Sequence, residues 1–248
     1  MPETASPLSL ETLRQQSHIW FFKPESVDDP AEVESFVSVL SKDEREKYRR
    51  FHFPEDRHRY LVSHAMVRHL LSRYVNLRPN EWRFVRSRHG RPEIANPGLS
   101  SLRFNLTHTD GLVACIVTHS VRCGIDAERI CNRQNLLSVR NRMFSPSEYT
   151  QTAGLPTAAQ LRYFFKHWTL REAYVKACGP GLWLSAGELS FLVTETGSIL
   201  VDFGPALPDG NQGWLFQLIY PTDNHIAAAA IQCNADNNAE IQSEWFCF

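Results

Sequence analysis

Four identities at one constant offset constrain the architecture of this chain more than any other feature. Arg59-Tyr60 recurs as Arg162-Tyr163, His64 as His167 and Arg68 as Arg171, each 103 residues apart. Both sets lie in segments with a helical pattern, and each is followed by a glycine-containing loop and strand-like runs. A duplicated unit of this kind predicts an α+β fold made of two similar α/β subdomains related by a pseudo-twofold, with a ligand site at their interface. The 248 residues suffice for a core in each half. The division is expected at 120/121, with the hinge near 119–122: an N-terminal subdomain 1–120 and a C-terminal subdomain 121–248 whose polar tail, after about residue 233, is loosely ordered.

Residues 18–22 (HIWFF) predict a first strand, and a Pro/Asp-rich loop follows through Pro30. Ser41 before Lys42, Asp43 and Glu44 is an N-cap signal for a charged helix to about Phe51, closed by Pro54. Over 55–74, Leu61, Ala65, Val67, Leu70 and Leu71 recur at helical spacing, which puts Arg57, Arg59, Arg68 and Arg73 off the core face. WRFVRS, the run around Phe104 and LVACIVTH predict strands. Gly179-Pro180-Gly181 follows a helix instead of preceding one, so it predicts a C-cap turn and not a phosphate loop.

A net charge of −1 rules out a global attraction to nucleic acid or to an anionic membrane, so any anion site must be a local cluster of cations. The six cysteines include no CxxC pair and no zinc spacing, and no apolar run is long enough to span a membrane. A cytoplasmic protein with reduced thiols is the expectation.

Gly124-Ile125-Asp126-Ala127-Glu128 follows an apolar strand pattern. Side chains alternate along a strand, so Asp126 and Glu128 share a side. Two carboxylates side by side need a cation between them. Hard oxygen ligands suit magnesium, or manganese, which fills its other positions with water and substrate phosphate. Further along, Trp168-Thr169-Leu170-Arg171-Glu172-Ala173-Tyr174-Val175-Lys176 predicts a helix with Glu172 and Lys176 one turn apart on one face.

Together, GIDAE, a gap of about forty-five residues and WTLREAYVK resemble the signature of the 4'-phosphopantetheinyl transferase superfamily, surfactin-synthetase type. SKDEREKYRRF, EDRHRYL, SRHGRPEI and FNLTHTDG extend the resemblance over roughly residues 18–230. It implies a monomer of two similar subdomains holding coenzyme A between them. The implied reaction is transfer of the 4'-phosphopantetheine arm to a serine of an acyl or peptidyl carrier protein. The implied metal ligands are Asp126, Glu128 and Glu172, with Glu172 and Lys176 as catalytic residues. Lys47, Arg86, Gly90, Arg91, Pro92, Asn105, Thr107, His108, Asp126 and Lys176 become coenzyme A contacts, with Lys47 near the 3'-phosphate. Arg171 stands where the family usually has lysine, and Glu148 matches a further acidic position. Met143 and Phe144 are expected as exposed apolar residues at a carrier docking surface.

Two other readings compete. A metal-dependent phosphohydrolase could use the same acidic cluster. A nucleic-acid-binding module could use the arginine-rich helices with Tyr48, Phe51 and Tyr60 between them. The first leaves the basic turn at 86–91, the NLTH segment and the context of WTLREAYVK unexplained, and the second meets a net charge near zero and no RNP, KH or helix-turn-helix pattern.

Overall fold

The computed structural model describes residues 8–87, 90–131, 144–152, 154–179, 187–205, 207, 213–233 and 240–248. The chain forms a mixed α+β fold of four layers. Its centre is a face-to-face pair of sheets, one ordered β11-β1-β5-β4 and the other β6-β10-β9.

The first sheet contains β1 (Gln16–Phe22), β4 (Leu102–Thr109), β5 (Leu112–His119) and β11 (Glu240–Trp245). β5 is apolar on both faces because both are covered. Val113, Cys115 and Val117 meet α4 (Pro54–Leu71), while Leu112, Ala114 and Ile116 meet the second sheet. That second sheet contains β6 (Cys123–Arg129), β9 (Trp214–Thr222) and β10 (His225–Gln232). The run Ala227–Ala230 places two small side chains on each face of β10. One pair packs on the first sheet and the other on the long helix α6 (Thr157–Cys178). α1 (Leu10–Gln15), α2 (Pro30–Val39) and α3 (Lys42–Arg50) accompany α4. The hairpins β2 (Phe84–Arg86) with β3 (Pro92–Ile94), and β7 (Leu189–Val193) with β8 (Ile199–Phe203), flank the two halves, and α5 (Pro146–Thr152) precedes α6. Among the described residues, no helix is long and apolar enough to cross a membrane.

The repeated residues of α4 and α6 do the same work twice. Ser41 and Glu44 form a capping box at the start of α3, and Glu44 then accepts from His64 (2.9 Å) and from Arg68 (2.6 Å). Ser145 and Glu148 repeat the box: the Ser145 amide donates to Glu148 Oε2 and the Glu148 amide to Ser145 Oγ. Glu148 pairs with Arg171, whose guanidinium also donates to the Leu189 carbonyl. Tyr60 lies against His64 and Tyr163 against His167, with ring centroids 4.1 and 3.9 Å apart. Each arginine is buried and anchors the loop or strand that follows its helix: Arg68 through the Pro79 and Trp82 carbonyls, Arg171 through Leu189.

Several expectations change. Arg68 does not lie off the core face, because the Glu44 carboxylate neutralises it inside. Pro54 opens α4 as well as ending the segment before it, since a proline at the first helical position loses no intrahelical bond. The polar tail is not loose at its end. Residues 240–245 pair in parallel with β1, and Phe246 packs into the first core. Phe144 is buried against Phe164 and Phe165, not exposed, and Met143 lies outside the described residues. Gly179 caps α6 in a left-handed conformation (φ 101°), whereas Pro180 and Gly181 lie outside the described residues.

Candidate active site

β6 and β4 are the adjoining edges of the two sheets, and the side chains of β4 join them. The Ile125 amide donates to Asn105 Oδ1 (2.9 Å) and the Arg129 amide to Thr109 Oγ1 (3.4 Å). Thr107, between them on the same side of β4, therefore also points at β6, and it reaches Asp126 Oδ1 at 3.4 Å. On the face of β6 that carries Asp126, Gly124 lies directly beneath α6. A Cβ there would stand 2.0 Å from the Ala173 carbonyl oxygen and 2.5 Å from the Ala177 nitrogen. This contact brings the helix close enough for Lys176 Nζ to donate to Asp126 Oδ1 (2.7 Å) and to Thr107 Oγ1 (3.0 Å).

Asp126 Oδ2 is buried and has no hydrogen-bond partner among the described residues. Burial raises the proton affinity of Glu172, one turn before Lys176. The nearby Asp126 charge adds to this and Lys176 partly offsets it. Both features leave negative charge that the protein itself does not fully satisfy. Glu128 follows Asp126 by two residues on β6 and is half-buried. Among the described residues, no three His, Cys, Asp or Glu side chains converge into a metal-holding group.

Beside this carboxylate end lies a cleft of about 390 Å³ lined by Lys47, Arg86, His64, His108, Lys176 and Thr107, with Tyr60, Phe51, Leu106 and Pro92 as its remaining walls. Among the described residues, no carboxylate lines it. The cations depress one another: burial and then Arg86 lower Lys47. His108 opens to solvent through the mouth of the cleft, yet desolvation, followed by the charges of Arg59, Lys176 and His64, holds it down to about 4. A concentration of positive charge in a chain with net charge −1 is an anion site. The cleft shares His64, Arg86 and Pro92 with a neighbouring cavity of about 650 Å³ walled by Trp82, Phe84 and Val85.

The residues expected from sequence divide accordingly. Lys47, Arg86, Pro92, Thr107, His108 and Lys176 line the cleft, with Asp126 and Glu172 at its Lys176 end. Asn105 and Arg91 instead hold the frame. Arg91 donates to the carbonyls of Lys176 (2.6 Å), Phe104 and Cys123 (both 3.1 Å), tying α6, β4 and β6 together. Gly90 turns the chain (φ 86°) and its carbonyl accepts from Arg86 at 3.4 Å. Glu148 and Arg171 lie behind α6 as the buried pair described above. Tyr60 and His64 are cleft residues that the sequence reading did not place at the site, since it noted them only as members of the repeat and Tyr60 as an aromatic among the arginine-rich helices. Burial pushes the Tyr60 hydroxyl up to about 12, and it has no partner among the described residues.

Residues 122–230 match the 4'-phosphopantetheinyl transferase superfamily, and residues 28–120 match the family described as 4'-phosphopantetheinyl transferase, N-terminal. The chain is 31% identical over 227 residues to 4'-phosphopantetheinyl transferase HetI of Nostoc sp., covering 91% of each chain. It is 33% identical over 180 residues to 4'-phosphopantetheinyl transferase Sfp of Bacillus subtilis, covering 73% of this chain and 76% of that one. A further Bacillus subtilis 4'-phosphopantetheinyl transferase is 29% identical over 205 residues, covering 83% and 87%. With both halves matched in order and a relative 31% identical covered over 91% of its length, this chain belongs to the 4'-phosphopantetheinyl transferase superfamily.

Proposed function

We infer that this chain transfers the 4'-phosphopantetheine arm of coenzyme A to a serine of a carrier protein and releases adenosine 3',5'-bisphosphate. The observation that carries the reading is the cleft itself: Lys47, Arg86 and Lys176 converge on a space that no carboxylate of the described residues lines, and Asp126 and Glu172 stand at one end of it. A substrate with phosphates at two places, 3' and pyrophosphate, needs that separation of cations. Lys47, Arg86, His108 and the Tyr60 hydroxyl would hold the nucleotide phosphates, while Lys176 and Thr107 would face the pyrophosphate.

Asp126, Glu128 and Glu172 are the residues that would hold magnesium. The orphaned Asp126 Oδ2 and the raised proton affinity of Glu172 fit a bound cation, and all three donors are the hard oxygens that magnesium accepts. A divalent ion bound there would polarise the pyrophosphate. Glu172 accepts the proton of the serine hydroxyl as its oxygen bonds to the β-phosphorus. The bond from that phosphorus to the bridging oxygen breaks, and the electron pair leaves with adenosine bisphosphate. Lys176 offsets the charge that builds on the departing oxygen.

The same reading takes the chain as two subdomains, 1–120 and 121–248, related by duplication and acting as a monomer. The twice-built constellation of capping box, histidine and buried arginine supports it. Mass spectrometry of an apo carrier protein incubated with this chain, coenzyme A and magnesium tests the function. A gain of one phosphopantetheine group, lost with Asp126→Ala, is the expected result; no gain with several carriers, while coenzyme A still binds, would overturn it.

A further inference from the structure

His64 stands where the cationic cleft meets the neighbouring cavity, and it lines both. Its Nδ1 is 2.9 Å from Glu44 Oε1, and Glu44 lines the neighbouring cavity alone. The imidazole therefore runs from the carboxylate toward the cleft. Tyr60 covers one face of the ring, with centroids 4.1 Å apart, and Lys47 Nζ lies 5.1 Å from the Tyr60 ring. His64 Nε2 makes no hydrogen bond among the described residues and keeps accessible surface, the side chain being 21% exposed.

Glu44 fixes which nitrogen holds the proton. It also accepts from Arg68 Nε (3.1 Å) and from the Ser41 amide (2.8 Å), and these partners keep it ionised near neutral pH. An ionised carboxylate can only accept, so the neutral ring carries its proton on Nδ1 and turns the Nε2 lone pair to the cleft. Phosphate oxygens are acceptors too. A phosphate seated there gains a bond from His64 only after Nε2 takes up a proton.

The surrounding charges set when that happens. On the cleft side His64 meets Lys47 of α3, Arg86 of β2, His108 of β4 and Lys176 of α6, with Arg68 one turn on along its own helix. Lys42, Asp43 and Arg83 line the cavity behind it. By themselves the cations oppose a further positive charge, and a phosphate dianion reverses that balance. His108 shares the cleft but has no carboxylate beside it among the described residues, and it stays neutral, held down to about 4. The two histidines are thus set apart by Glu44.

We propose that His64 is a proton-coupled phosphate ligand: the 3'-phosphate of coenzyme A seats against it beside Lys47, and the ring takes up one proton at Nε2, balanced by Glu44. The proton comes from solvent and returns to it when adenosine 3',5'-bisphosphate leaves. This rests on the coenzyme A reading of the cleft and adds to it a residue and a linked proton.

Nitrogen-15 resonances of the histidine rings in the full chain, followed between about pH 6 and 9, test it. Alone, His64 should titrate from imidazolium to the Nδ1–H tautomer. With saturating coenzyme A it should remain imidazolium to at least about one pH unit higher, and 3'-dephospho-coenzyme A should give little of that shift. His64→Arg carries a permanent charge, so the ratio of the wild-type Kd for coenzyme A to that of the variant should rise with pH, by up to about tenfold per unit. Ionisation of the phosphate itself cancels in that ratio. The wild-type resonances stand by themselves if the variant does not fold. An Nε2–H tautomer in the free chain, coenzyme A bound with His64 left neutral, or an equal shift with 3'-dephospho-coenzyme A would each overturn the proposal and leave the coenzyme A reading standing. Coenzyme A that does not bind at all would overturn both.

Discussion

Lys176 Nζ lies 2.7 Å from Asp126 Oδ1, across a joint made by a helix and a strand that are 50 residues apart in sequence. The pair puts one charge of each sign at the end of an otherwise cationic cleft. The other Asp126 oxygen is left without a partner among the described residues.

Lys176→Ala should therefore lower kcat for carrier modification by about 10²–10³-fold, the usual cost of losing one group that stabilises developing charge. Asp126→Asn should lower transfer by a similar order and raise the magnesium concentration needed for half-maximal rate. Single-turnover transfer followed by carrier mass checks both.

Gly124 has no room for a side chain, because a methyl group there would collide with backbone atoms of α6 that cannot rotate away. Gly124→Ala should destabilise the fold by at least about 1–3 kcal/mol and displace Glu172 and Lys176 together. Urea denaturation should show the stability loss, and residual activity should fall further than the folded fraction does.

Lys47 and Arg86 line the cleft. Charged hydrogen bonds contribute about 1.5–3 kcal/mol, so Lys47→Ala or Arg86→Ala should each raise KM for coenzyme A by about tenfold or more. The kcat at saturation should change little. Steady-state kinetics separate the two effects.

Glu148 and Arg171 form an ion pair that is almost wholly buried, and Glu148 also accepts from the Ser145 and Phe191 amides. Removing one partner leaves the other charged inside. Arg171→Leu should cost about 3–5 kcal/mol, while Arg171→Lys, which keeps the charge but loses the planar fork, should cost less. Thermal and urea unfolding report both.

Glu44 gives the N-terminal half a defined acid sensitivity. Burial would raise its pKa, but the His64 hydrogen bond, the Arg68 and His64 charges and the Ser41 amide outweigh it and hold the carboxyl at about 2. A depressed carboxylate stabilises the fold above its unfolded pKa near 4.5, and that stability, on the order of 3 kcal/mol, is lost as pH falls from there through 2. Glu44→Gln should start less stable at pH 7 and lose less between pH 5 and pH 2. Urea midpoints across that range measure the difference.

Local pattern determined much of this molecule. The Ser41 cap, the α4 periodicity, the apolar run of β5 and the pairing of GIDAE with WTLREAYVK are set by residues close together in the chain, and each has a period or spacing that can be counted. The repeat of Tyr60, His64 and Arg68 as Tyr163, His167 and Arg171 was countable too. A sequence pattern could not say that both arginines turn inward, because an arginine on a helix is exposed unless a carboxylate from elsewhere meets it. Glu44 and Glu148 do so here, and the Ser-x-x-Glu ahead of each helix was the available signal. Tertiary structure alone decided that Asn105 and Arg91 bind backbone while Thr107 faces Asp126, since which side of a strand or turn meets its neighbour depends on packing between distant segments. It likewise drew the polar C-terminal residues into a strand beside β1, because an open sheet edge offers backbone hydrogen bonds to whatever segment reaches it. Chemical identity was legible in one dimension; the joint that brings Lys176 to Asp126 exists only in three, where Gly124 lets a helix rest on a strand.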